Sequence, residues 1–139
     1  MGSHRHLWLH RSWLSRKVVG AFVAIQSDAR IGSRGSMGGG AAGDASIASR
    51  PGEIDRLVLL GAAPNRPADQ LKSSTLFIAA RGDASGDGLR LPGIRAQYEK
   101  APQPEELIIL DGTAHAQFLF QTDQGERVMR EILRFLSAK

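Results

Sequence analysis

The 139-residue chain contains no cysteine. Disulfides, zinc–thiolate centres and a cysteine nucleophile are therefore excluded, while the redox compartment stays open. Acidic residues are missing from the N-terminal stretch, where Arg5, Arg11, Arg16 and Lys17 all precede the first carboxylate, Asp28. Beyond Lys17 the chain carries 14 basic and 14 acidic residues, so the formal net charge of +4 belongs to the first seventeen residues, not to a binding face. Nucleic acid is not an expected partner. Long apolar runs are lacking too: no stretch approaches the roughly eighteen residues of a membrane span, and no membrane partner is expected.

What is present is organised after residue 16. Residues 1–16 are expected to form a basic, mobile arm, and residues 17–139 a single domain. The arm and the apolar Val18–Ile25 that follows it loosely resemble a signal peptide, but with an unusually long basic region. A cytoplasmic chain is the expectation. His4, His6 and His10 read as solvated side chains of the arm, and no metal site is expected.

Along the domain, Val18, Val19, Phe22 and Ile25 stand at helical spacing, which predicts a helix over 17–27. Ala29–Ser33 has the length of a short strand, and the Ala-rich run from Met37 to Ser49 favours helix until Pro51 and Gly52 break it. The near-continuous apolar runs Ile54–Ala62, Ser74–Ala80 and Glu106–Gly112 predict strands buried on both faces, the pattern of a parallel sheet covered by helices. A short helix is expected over Ile94–Lys100. The clearest helix is C-terminal: Asp123 and Glu126 fit an acidic capping box, and Val128, Ile132, Phe135 and Leu136 form its apolar face. Strands alternating with helices give an α/β class with about four parallel strands flanked by helices.

The glycine-rich stretch Arg30–Ser46, "RIGSRGSMGGGAAGDAS", lies between an expected strand and an expected helix. A P-loop needs Lys-Ser or Lys-Thr after its last glycine, and Ala41 and Ala42 stand there instead. Gly32, Gly35 and Gly38 are not spaced as G-x-G-x-x-G, and no acidic residue ends the next strand. A nucleophile elbow suits the layout better. Ser36 would sit at the strand-to-helix turn with Gly38 two residues on, and the N–H of Met37 would face a developing oxyanion. The bland alternative is a turn serine capping the helix. Downstream, Asp83 follows the expected strand Ser74–Ala80, and His115, the one histidine beyond the arm, follows Glu106–Gly112. Asp87 rivals Asp83 as the acid. Gly82–Gly88 resembles a calcium loop only superficially, and Gln117–Phe120 reads as core packing.

In "GSMGGGAA", "TLFIAARGDASGDG" and "LDGTAHAQFLF" the chain resembles the elbow, acid loop and histidine loop of the α/β-hydrolase superfamily, in its lidless, dienelactone-hydrolase-like branch. The resemblance covers the C-terminal half of that fold, from about Val18 onward. It implies a truncated α/β-hydrolase core and hydrolysis of small carboxylic esters or acyl compounds. Ser36 would be the nucleophile, His115 the base, Asp83 its orienting acid and Met37 an oxyanion donor, with no cofactor. Two departures go with it. Arg34 stands where the family has glycine two residues before the serine, and only about thirty residues precede the elbow strand. The family's second oxyanion donor comes from that earlier region. The alternative expectation is a catalytically idle remnant that self-associates, or binds a partner, at an exposed edge formed by the elbow strand.

Overall fold

A computed structural model describes residues 36–102 and 105–138. The arm, the expected helix over 17–27, the expected strand Ala29–Ser33 and Arg34 lie outside those residues. Helix α1 (Ser36–Ala48) comes first, followed by strands β1 (Arg56–Leu60) and β2 (Ser74–Ala80). A small hairpin of β3 (Ala84–Ser85) and β4 (Gly88–Leu89) leads into α2 (Leu91–Lys100), β5 (Glu106–Leu110) and α3 (Gly125–Ser137). Short 310 turns occupy Ala68–Gln70 and Ala116–Gln121.

The class is α/β. Strands β1, β2 and β5 form a parallel three-stranded sheet in the order β1-β2-β5. About four parallel strands were expected; the described residues hold three, and the fourth candidate is not among those described. Alternation along the strands splits the core in two. Leu57, Leu59, Phe77 and Ala79 pack with Ala42 and Ile47 of α1 and Leu91 and Ile94 of α2. Val58, Leu60, Leu76 and Ile78 pack with Val128, Ile132 and Phe135 of α3. Both faces of β1 and β2 are thus covered, which is why their sequences run apolar without a polar interval.

Four expectations are corrected. First, β5 is half-buried over Glu106–Ile109 and only Leu110 is buried, because among the described residues it borders one strand only. Second, α2 begins at Leu91 rather than Ile94, since Pro92 fits a helix's first turn, where no N–H is needed. Third, the Asp123–Glu126 capping box does not form. Gln124 is the N-cap without a side-chain cap bond, and the Thr122 hydroxyl instead accepts the Gln124 N–H at 3.2 Å and donates to the Leu119 carbonyl at 2.8 Å. Fourth, Gln117–Phe120 is core packing only in part, because Leu119 is buried whereas Phe118 is 52% exposed.

Helix α1 holds an uncommon load of glycine for a helix. Contact with the loop after β1 explains two of them. A Cβ on Gly43 would stand 2.9 Å from the Pro64 Cα, and one on Gly40 would stand 2.7 Å from the Asn65 side chain. Asp44 locks the same junction by accepting from the Arg66 backbone N–H at 2.9 Å and from Asn65 Nδ2 at 3.1 Å. Thus Gly43→Ala should destabilise the fold by about 1–3 kcal/mol through overpacking, despite alanine's better helix propensity. Gly93→Ala, in α2 with open space around it, should stabilise by about 0.4–1 kcal/mol. Urea unfolding of both variants checks the opposite signs.

At the opposite end of the sheet from the C-terminal strand ends, Glu105 is buried and accepts the Thr75 N–H at 2.8 Å. Desolvation pushes its carboxyl up to about 8, against a smaller lowering from the Thr75 bonds. The folded state therefore binds this proton more tightly than the unfolded chain, whose carboxyl titrates near 4.5. That stabilisation is complete below about 4.5 and is lost as the pH rises through about 8. Thermal melting of wild type between pH 5 and 9 should show the loss, and Glu105→Gln should flatten it.

Candidate active site

Because the sheet is parallel, β1, β2 and β5 all end at one edge, and the segments following them meet there. Backbone bonds tie these segments together. The Gly61 N–H donates to the Ile78 carbonyl (2.7 Å), Arg81 N–H to Leu110 (2.7 Å) and Gly82 N–H to Gly112 (2.8 Å). Asp83 follows β2 by three residues in a turn closed by its N–H on the Ala80 carbonyl, at 3.2 Å. His115 follows β5 by five.

Asp83 Oδ2 and His115 Nδ1 are 2.6 Å apart. An ionised carboxylate only accepts, so Nδ1 carries the proton and Nε2 is left as the ring's basic nitrogen. The Asp83 side chain is 2% exposed and that of His115 20%; the Nε2 atom itself is shielded from solvent. Asp83 Oδ1 has its own partner, Arg90 Nε at 3.2 Å. Arg90 was not singled out in the sequence. Its signal was the Gly86-Asp87 pair between short runs, a two-residue hairpin loop. The hairpin returns the chain so that the Arg90 N–H donates to the Asp83 carbonyl at 2.9 Å. Asp87, the rival acid, is exposed in that hairpin turn.

Gly61 makes the pair possible. A Cβ there would stand 2.7 Å from His115 Nδ1 and 3.1 Å from Asp83 Oδ2, and its φ of +65° is one that L side chains rarely adopt. Next to the histidine, buried Ala116 has φ +51°, a left-handed conformation that is uncommon outside glycine. A depression of about 280 Å³ adjoins Gly61 and is lined by Ala63, Asn65, Leu89, Arg90 and Ile94 among others.

Ser36 is the first residue of α1 and Met37 the second. The conformations of their side chains are outside what is described. The helix they open packs on β1 and on the loop after it, immediately beyond Gly61. Among the described residues no group of three or more His, Asp or Glu could hold a metal ion. Among the same residues no helix is long and apolar enough to cross a membrane.

No protein-family model, curated protein or solved structure matches the chain. Gly61→Ala is expected to separate Asp83 from His115, abolishing the downfield Nδ1–H proton signal of a short carboxylate–imidazole bond, and to destabilise by about 1–3 kcal/mol. Gly52→Ala tests a positive φ in open space; it should carry the backbone cost alone and keep the signal.

Proposed function

We propose that the chain is a partial α/β-hydrolase core that hydrolyses small carboxylic esters or related acyl compounds. The observation that carries this reading is the buried 2.6 Å Asp83–His115 pair at the C-terminal edge of a parallel sheet. In that reading Ser36 Oγ attacks the substrate carbonyl while His115 Nε2 takes its proton. His115 then returns the proton to the departing alcohol, and water releases the acyl group by the same route. Asp83 keeps the Nδ1–H tautomer and stabilises the imidazolium. The Met37 N–H, in the first turn of α1, would face the oxyanion, where a helix N-terminus favours negative charge. The depression beside Gly61 supports a small substrate.

A second reading is a catalytically idle remnant that works by self-association or a partner at a sheet edge. The half-buried Leu107, Ile108 and Ile109 of β5, which borders one strand only among the described residues, favour it.

Fluorophosphonate labelling of the full chain separates the two, because the probe reacts with a serine activated by its base. Labelling should occur in wild type, vanish in Ser36→Ala and fall on the order of 10³–10⁴-fold in Asp83→Asn. A folded wild-type protein that takes no label would overturn the hydrolase reading and leave the idle one.

A further inference from the structure

Asp83 has two side-chain partners, and one of them has no part in the proposed Ser36–His115–Asp83 relay. His115 Nδ1 binds Oδ2; Arg90 Nε binds Oδ1 at 3.2 Å, with its side chain 16% exposed against 2% for the aspartate. This ion pair is sheltered from water, unlike Arg81–Asp111 at 3.9 Å, whose side chains are 64% and 91% exposed. Arg90 is also bound through its backbone to the same aspartate. The hairpin Ala84–Leu89, with Ala84 opposite Leu89, is the device that brings the two residues together.

We infer that Arg90 is a positioning residue, which fixes the Asp83 carboxylate toward His115 and tempers its hold on the imidazole proton. A carboxylate bound through one oxygen can rotate; a guanidinium on Oδ1 leaves Oδ2 as the histidine's acceptor. The same cation offsets part of the negative field that favours imidazolium. His115 thereby keeps its neutral, basic form to lower pH than beside a lone carboxylate. The electrostatic effect stands on the geometry alone; its consequence for catalysis rests on the hydrolase reading.

Among the described residues, the charged groups of the neighbouring elements are engaged elsewhere or solvated. Asp44 of α1 is held by Asn65 and Arg66. Asp111, before the histidine loop, sits at the surface beside Arg81. Asp87 in the hairpin turn and Arg95 of α2 are exposed.

The test is an NMR titration of the His115 ring in the full chain, comparing wild type, Arg90→Met and Arg90→Lys, with the resonance assigned through His115→Gln. The midpoint should rise in Arg90→Met on the order of one pH unit and stay near wild type in Arg90→Lys, which keeps the charge. In wild type the Arg90 Nε–H signal should move with the His115 midpoint. An unshifted midpoint in folded Arg90→Met would overturn the inference. Should that variant not fold, a wild-type Arg90 Nε–H signal indifferent to the His115 titration would overturn it equally. In parallel, the acid limb of the fluorophosphonate labelling rate should shift upward in Arg90→Met by the same interval. A wild type that takes no label sinks the hydrolase reading, while the titration still decides the role of Arg90.

Discussion

The approach of the His115 ring to the Gly61 Cα is the constraint on which the rest of this edge of the sheet depends. A side chain on Gly61 would occupy the space where Nδ1 and the Asp83 carboxylate meet, so the position needs both an absent Cβ and a positive φ. With that space open, three consecutive strand ends converge. Gly61 follows β1, Asp83 follows β2 and His115 follows β5, and backbone hydrogen bonds hold the segments in mutual register. The left-handed Ala116 is the local strain that accompanies this convergence, held by its complete burial.

The two buried carboxylates among the described residues, Asp83 and Glu105, illustrate opposite solutions to one physical problem. Asp83, at the C-terminal edge, has an imidazole on one oxygen and a guanidinium on the other. Glu105, at the N-terminal end of β5, accepts the Thr75 N–H, and burial outweighs that bond and raises its proton affinity. A buried carboxylate is tolerated either by nearby positive charge or by keeping its proton. Of the two, Asp83 is the one whose carboxylate lies against a histidine.

The glycines of α1 extend the theme of close approach. Gly40 and Gly43 let the helix that begins at Ser36 lie against Asn65 and Pro64, in the loop that starts at the end of β1. Asp44 reinforces that contact with two hydrogen bonds. Helix α1 is thereby anchored beside the edge where Asp83 and His115 meet, although its glycines lower its helix propensity. In the hydrolase reading this anchoring is what would give Ser36 a defined position.

Much of the architecture was legible in the chain itself. Unbroken apolar runs marked β1 and β2 as doubly buried strands, and the spacing of Val128, Ile132 and Phe135 marked the face of α3, because hydrophobic periodicity reports burial directly. Asp83 and His115 stood out as chemistry-bearing residues just past apolar runs. Other features depend on contacts between segments far apart in sequence. The half exposure of β5 follows from which strands border it, and the start of α3 follows from the Thr122 bonds to Leu119 and Gln124. The local pattern favoured Asp123 as the cap, but the bonds of that turn override a weak capping preference. The roles of Arg90 and Gly61 were hidden for the same reason, even though the Gly86-Asp87 pair marked the hairpin: a residue's own type carries no record of which distant side chain will lie against it. The sequence determined the α/β class, the strand and helix order and the candidate acid and base. The tertiary structure alone decided that Asp83 faces His115, that Arg90 holds its other oxygen and that Gly61 leaves the room, because hydrogen-bond partners are chosen only once the strands are side by side.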